Sequence, residues 1–397
     1  MTPSHDIIKD IRATDLKFSR TPDTLKRNLC TPTSRFKNDA HSRDAQWFGP
    51  VALTLVEVET HGGQIGHGTI GGFTASGTNI VETYLKPLAL GHSVFETELL
   101  WDKLYRATVR FGRRGVALSA LSAIDIACWD LKGKLLKQPV YNLLGGKTRD
   151  RVPAYCSRLY ALEDLDALAE EARGYVRQGF RVLKQRFGFS PVDGVEGMNR
   201  NVELIRTVRA AVGDDIELAA DAYMGWDYGY AVEMERRLRP YRLAWIEEPF
   251  LPDDLASYVK LRAKSQTLIS CGEHEYTKQG FQHLIEIGAA DILQPDANRV
   301  GGITEMKKIC ALAEAAGLPI YPHSNEAHNF HVILSQPNCP LVEYFPNVEP
   351  DTGNELFWKV FTGEPTAVDG YLPASDKPGL GIEVNREAVE KLRWINE

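Results

Sequence analysis

Six short apolar runs between Ile216 and Tyr344 each carry an acid or a histidine at or near their ends. They are IELAAD ending at Asp221, LAWIEE with Glu247 and Glu248, LISCGE at Glu273, DILQPD at Asp296, LPIYPH at His323 and LVEY carrying Glu343. The steps between these polar residues are 26, 26, 23, 27 and 20 residues. A step of that size accommodates one strand, one helix and two loops. An apolar run with an acid or histidine at its exit reads as a buried parallel strand that presents a functional group at its C-terminal end. Two runs upstream, RVPAYCS (151–157) and FRVLKQRFG (180–188), extend the series. Between and after them, LEDLDALAEEARGYVRQG and VEGMNRNVELIRTVRAAVG have the helical period, with Val202, Ile205 and Val208 on one face of the second. Strands alternating with helices favour a parallel sheet, so the predicted class is α/β, a (β/α)7β-type modified TIM barrel.

The N-terminal part follows a different pattern. VALTLVEVET (51–60) alternates like a half-buried strand, HGG (61–63) is a turn signal, and IGHGTIGG is its expected hairpin partner. From Ile80 to Gly146 small and apolar residues recur at helical spacing, closing on Pro139 and a glycine pair. Early strands followed by helices predict an α+β capping domain over residues 1–147, a barrel over 148–345, and a C-terminal segment, 346–397, completing barrel and cap. In that last segment DGYLP and DKPGLGIEV read as short strands. Residues 1–50 alternate poorly, and Thr21 to Trp47 reads as a long loop, the kind that serves as a lid or binding loop.

A chain of 397 residues can bury a large core and form two domains. Its formal charge of −7 argues against a nucleic-acid surface. The charged opening, MTPSHDIIKDIRATD, does not resemble a secretory signal, and no apolar run approaches the ~20 residues needed to span a bilayer. The expectation is a cytoplasmic enzyme without a membrane partner, and large compact barrels commonly pair as homo-oligomers. The six cysteines show no CxxC spacing and are expected as small buried hydrophobes.

The chemistry gathers at the strand exits. Asp221, Glu247 and Glu273 close consecutive runs and would sit side by side at one rim. Carboxylates that crowded repel unless protonated or bridged by a cation, and an all-oxygen set favours a hard ion such as Mg2+. Asp296 and His323 end the next two runs; a carboxylate beside an imidazole fixes its tautomer and makes a general base. A proton next to a carboxylate group is so weakly acidic that its removal also needs strong fixed charge. Glu343 is a candidate hydrogen-bond partner for the enolate oxygen, a role that requires it to be protonated; a ligand to a substrate hydroxyl is the other reading. His274 and Glu275 follow Glu273 and are candidates to line the rim. Lys184 and Arg186, two apart on one strand, share a face and are expected to point at the acids.

With these residues in view, the sequence resembles the enolase superfamily, within its mandelate racemase branch. The resemblance rests on SAIDIACWDLKGK, YNLLGG, Asp221, WIEEP (245–249), GEH (272–274), QPDANRVGG (294–302) and PHS (322–324), and it covers nearly the whole chain. It implies that Asp221, Glu247 and Glu273 are Mg2+ ligands and that His323 and Asp296 form the His–Asp dyad. A Lys or His base working with Mg2+ against an ene-diolate is a known property of the family. Lys184 and Arg186 match the branch's Lys-x-Lys, with arginine in the second place; arginine is a poor base, which disfavours a two-base racemase. Within the branch, GEHEYTKQGF, DILQPD, NCP, EYF and DKPGLGIEVN resemble the sugar-acid dehydratases of the rhamnonate type. That implies Mg2+-dependent loss of water from a small-molecule aldonate such as L-rhamnonate or L-lyxonate to give a 2-keto-3-deoxy acid. Substrate-binding roles are implied for Lys184, Arg186, His274 and Glu343. The alternative is an epimerase, racemase or cycloisomerase using the same enediolate.

Overall fold

The computed structural model describes residues 5–18, 23–36, 51–71, 77–349 and 356–394. The cap is a three-stranded antiparallel sheet of β1 (Ile8–Phe18), β2 (Val51–Thr60) and β3 (Ile65–Ile70), with two long helices, α1 (Thr97–Gly112) and α2 (Val116–Leu136). The hairpin pairs Thr54 with Ile70 and Glu59 with Ile65, around a turn in which Gly63 has φ +80°. Strand β1 lies where residues 1–50 alternate poorly. A bulge between Ile8 and Asp10 shifts its register with β2, and beyond it the strand buries both faces in turn, Ile11 in the cap core and Leu16 and Phe18 in the core that runs into the barrel.

Helix α2 joins the two halves of the molecule. Most of its residues are buried, because one side lies on β3 and another on the barrel. Side chains at Gly66 and Gly68 would strike the carbonyls of Ala127 and Ala123, so the small residues of both elements allow close packing. On the barrel side Asp125 accepts from the Thr304 hydroxyl at 2.5 Å and amide at 2.9 Å, and the Trp129 indole donates to Thr304 at 2.8 Å. These bonds satisfy polar atoms that burial would otherwise make costly.

The barrel contains seven parallel strands in the order β10-β4-β5-β6-β7-β8-β9: β4 (Arg151–Leu159), β5 (Val182–Arg186), β6 (Glu217–Asp221), β7 (Trp245–Glu247), β8 (Leu268–Cys271), β9 (Ile292–Leu293) and β10 (Val342–Tyr344). The expected strand at LPIYPH is reduced to one bridge, Leu293 to Ile320, between β9 and β10. Outside lie α3 (Leu165–Arg177), α4 (Gly194–Val212), α5 (Tyr228–Leu238), α6 (Leu255–Arg262), α7 (Thr277–Ile287), α8 (Gly302–Ala315) and α9 (Ala327–Ser335). Asp164, Asp227 and Asp254 cap α3, α5 and α6 by accepting from backbone amides at 3.0, 2.9 and 3.3 Å. The larger core cluster runs through the barrel strands and their helices, and a second fills the cap between its sheet and α1 and α2.

The C-terminal segment touches both parts. Strand β12 (Tyr371–Pro373) pairs antiparallel with β4, β11 (Phe361–Thr362) pairs with β13 (Glu383–Val384), and the Trp394 amide donates to Asp15 of β1 at 2.8 Å. Among the described residues no helix is long and apolar enough to cross a membrane, and all six cysteines are buried and outside any disulfide.

Candidate active site at the barrel mouth

Strands β5, β6 and β7 align Arg186 with Asp221 and Asp221 with Glu247, so these side chains leave the sheet together. Lys184, two residues before Arg186, is fully buried and points the same way. Its ammonium pairs with Glu247, with Glu343 at 2.7 Å and with Asp221 at 3.7 Å. The Arg186 guanidinium donates to Asp221 at 2.5 Å and to the Ser157 hydroxyl at 3.0 Å. Burial lowers the basicity of Lys184, but Glu247, Glu343 and Asp221 outweigh it and hold the amine charged. Arg186 is held charged in the same manner against burial, by Tyr160 and Asp221.

A second cluster lies at the exits of β8 and β9. His323 Nδ1 is 2.9 Å from Asp296 Oδ2, and His323 Nε2 is 3.6 Å from Glu273 Oε1. Asp296 Oδ1 accepts from the Asn298 amide at 2.9 Å and from Asn329 Nδ2 at 3.1 Å, which fixes the carboxylate plane. Burial pulls the imidazole down, but Glu273, the Asp296 hydrogen bond and Glu343 lift it to about 9. Arg299 Nη1 donates to the Glu273 carbonyl at 2.7 Å and lies 3.4 Å from its carboxylate. His274 is 2.8 Å from Glu248 and 3.8 Å from Glu273 Oε1, so Glu273 sits between two imidazoles. Glu275 turns the other way, to Arg114 at 3.3 Å and the Tyr276 amide at 2.7 Å, outside this group.

Glu343 departs from the protonated state that the enolate-donor role requires. Burial alone would favour the neutral acid, but Lys184 and His323 outweigh it and hold the carboxyl below its ordinary value. Its other oxygen accepts from the Ser324 amide at 2.9 Å. A donor at this wall of the site is therefore the Lys184 ammonium rather than Glu343.

The two clusters face one another electrostatically. Burial pushes the Glu247 carboxyl up to about 8; Lys184 opposes this, while Asp221, Glu343 and Glu273 add to it. Asp221, Glu247, Glu248, Glu273, Asp296 and Glu343 are all buried there, against the strong cations Lys184, Arg186 and Arg299. An excess of buried carboxylate fits a hard divalent cation. Asp221 and Glu247 are turned to Lys184 and Arg186. Among the described residues, the group whose ligand atoms already lie within 4.8 Å of one another is Glu248, Glu273 and His274. That set includes a nitrogen, which suits transition metals better than Mg2+.

Strain marks the same mouth. Glu248, Tyr223, Met224 and Ser324 are non-glycine residues at φ +39°, +41°, +61° and +73°, each within three residues of Asp221, Glu247 or His323. The described part of the early loop reaches this rim too: Asn28 exchanges hydrogen bonds with Ala161 at 2.9 and 3.2 Å, and the Cys30 amide donates to Phe187 at 2.6 Å. Much of the stretch read as a binding loop, residues 37–47, lies outside the described residues. Arg299, Trp245 and Gln294 lie within the motifs quoted for the resemblance but carried no role of their own there. Arg299 stands one helical turn after Asp296, and Trp245 shares a strand face with Glu247, so periodicity was the available signal for both.

Comparison with known proteins agrees over almost the whole chain. Residues 45–145 match the family described as mandelate racemase / muconate lactonizing enzyme, N-terminal domain, and residues 167–388 match the enolase C-terminal domain-like family. A putative L-rhamnonate dehydratase of Caldivirga maquilingensis is 38% identical over 91% of this chain and 88% of its own. The L-rhamnonate dehydratase of Saccharopolyspora erythraea is 36% identical over 91% of this chain and 90% of its own. A crystal structure of rhamnonate dehydratase from Gibberella zeae complexed with Mg aligns with a TM-score of 0.86 at 32% identity, covering 98% of this chain and 96% of that one. Two matched domains and relatives of this identity and coverage carry one conclusion: the chain belongs to the enolase superfamily, in its mandelate racemase/muconate lactonizing enzyme branch.

Proposed function

We propose that this chain is a Mg2+-dependent hydro-lyase that removes water from an aldonate of the L-rhamnonate or L-lyxonate type to give a 2-keto-3-deoxy sugar acid. The observation that carries the reading is the dyad base His323 set against two fixed cations, Lys184 and Arg186, where the branch would place a second base. His323 has Nδ1 tied to Asp296 and Nε2 turned towards Glu273, whereas Lys184 and Arg186 are cations held in place by buried carboxylates. An epimerase with a base on each face of the substrate needs a second group that can give up its proton, and these two are both held charged. The relatives' names support the dehydratase class, and the Gibberella complex supports the metal.

Asp221, Glu247 and Glu273 would hold the ion, which when bound supplies fixed positive charge against the negative charge that develops on the substrate carboxylate. His323 Nε2 takes the proton beside that carboxylate, and Asp296 keeps Nδ1 protonated and the ring in plane. The resulting imidazolium gives the proton to the neighbouring hydroxyl as its carbon–oxygen bond breaks, so one water leaves and the enol left behind becomes the ketone. Lys184 and Arg186 shape the positive wall of the pocket, with His274 and Glu343 placed to meet substrate hydroxyls. The proposal includes a homo-oligomer working in the cytoplasm.

Incubation with Mg2+ and a panel of aldonates and diacids in deuterated water tests the class. Accumulation of a 2-keto-3-deoxy acid is expected. Deuterium entering beside the carboxylate without loss of water would assign an isomerase instead.

A further inference from the structure

Glu247 presents its two oxygens to different surroundings. Oε1 meets the Lys184 ammonium, on the side shared with Asp221 and Glu343. Oε2 accepts from the Gln294 side-chain amide at 2.7 Å and from the Trp245 indole N–H at 3.1 Å. All three residues are almost completely buried, so water does not compete for these bonds. Trp245 is itself fixed by edge contacts with Tyr155 and Tyr321, at ring separations of 5.3 and 5.5 Å. A carboxylate oxygen has two acceptor sites, and two neutral donors fill both.

We propose that Gln294 and Trp245 are positioning residues that make Glu247 a one-oxygen ligand and thereby favour Mg2+ over Ca2+ at this site. Mg2+ demands six ligands in near-octahedral array and is satisfied by one oxygen per carboxylate. Ca2+ takes six to eight oxygens and gains from carboxylates that turn both oxygens to it. Occupying Oε2 from behind costs Mg2+ nothing and denies Ca2+ a ligand. Both donors are neutral, so they fix the carboxylate without adding the charge that a lysine would bring. The inference rests on the proposed assignment of Glu247 as a metal ligand.

The test is calorimetric titration of the substrate-free protein with Mg2+ and separately with Ca2+, for the wild type, Gln294→Met and Trp245→Phe. Each variant removes one donor; Gln294→Met nearly preserves volume, Trp245→Phe gives up part of the buried indole, and two independent variants guard against misfolding of either. Losing an orienting partner of a metal ligand typically weakens binding about 10–100-fold, and that loss is expected for Mg2+. Ca2+ binding should stay level or tighten, so the Mg2+/Ca2+ preference contracts by about 10-fold or more. An equal loss for both ions, or no change for either, would overturn the inference while leaving the metal assignment intact. A wild-type protein that binds no Mg2+ would overturn the underlying assignment itself.

Discussion

Replacing Asp296 by asparagine should disable His323 while leaving the fold in place, and the structure dictates how. Asp296 Oδ1 already accepts from two donors, the Asn298 amide at 2.9 Å and Asn329 Nδ2 at 3.1 Å. An asparagine must therefore keep its carbonyl oxygen at that position, because turning its NH2 there would face two donors with a third. Its NH2 then meets His323 Nδ1, where Asp296 Oδ2 now lies at 2.9 Å. Nδ1 must become the acceptor, the proton moves to Nε2, and the nitrogen facing Glu273 can no longer take a proton. The charge-assisted hydrogen bond, worth about 1.5–3 kcal/mol, is lost as well. In catalytic triads the same carboxylate-to-amide exchange, with geometry intact, lowers kcat about 10^4-fold. For Asp296→Asn a fall of about 10^3–10^4 in kcat is expected, with KM changed far less, since the pocket keeps its shape. Keto-acid formation followed by a carbonyl reagent measures the turnover, and near-ultraviolet circular dichroism confirms the fold. Turnover within tenfold of the wild type would refute the assignment of His323–Asp296 as the base.

Three further outcomes are expected. Lys184→Met leaves Asp221, Glu247 and Glu343 buried without their shared cation, and breaking such a pairing costs about 3–5 kcal/mol in denaturant unfolding, part of which saturating Mg2+ should restore. Arg186→Lys cannot bridge Asp221 and Ser157 with one planar group, so turnover should drop about tenfold or more; a variant as active as the wild type would remove Arg186 from the site. The stabilisation conferred by Mg2+ should grow from pH 6 to pH 9. Glu247, raised to about 8, and His323, raised to about 9, both bind protons more tightly folded than unfolded. Their contribution is therefore full at low pH and is lost as pH rises through 8 and 9, while the unprotonated carboxylate becomes free to bind the ion. Thermal unfolding with and without Mg2+ across that range measures it, and a shift independent of pH would contradict the reading.

The parts of the molecule visible in its sequence are those where one local period dominates. The barrel strands announced themselves because each is a short apolar run between turn signals, and their polar exits led directly to Asp221, Glu247, Glu273, Asp296 and His323. Strand β1 stayed hidden because it buries first one face and then the other, and LPIYPH forms only one bridge, Leu293 to Ile320, although its backbone follows the neighbouring strand as far as the His323 amide, which donates to Pro295. The charge state of Glu343 could not be read from sequence, since it depends on Lys184 and His323 arriving from distant strands. The same holds for Gln294 and Trp245, whose meaning lies in both reaching one oxygen of Glu247. Nor does composition reveal that Asp221 and Glu247 turn to Lys184 and Arg186, leaving Glu248, Glu273 and His274 as the tighter ligand group.

That last contrast makes the position of the bound ion decisive. A crystal structure of the protein grown with Mg2+ and an aldonate should show the ion with one oxygen each from Asp221, Glu247 and Glu273 at about 2.0–2.1 Å, and His323 Nε2 facing the substrate carbon beside the carboxylate. An ion held instead by Glu248, Glu273 and His274, or a His323 ring turned away from the substrate, would contradict the account.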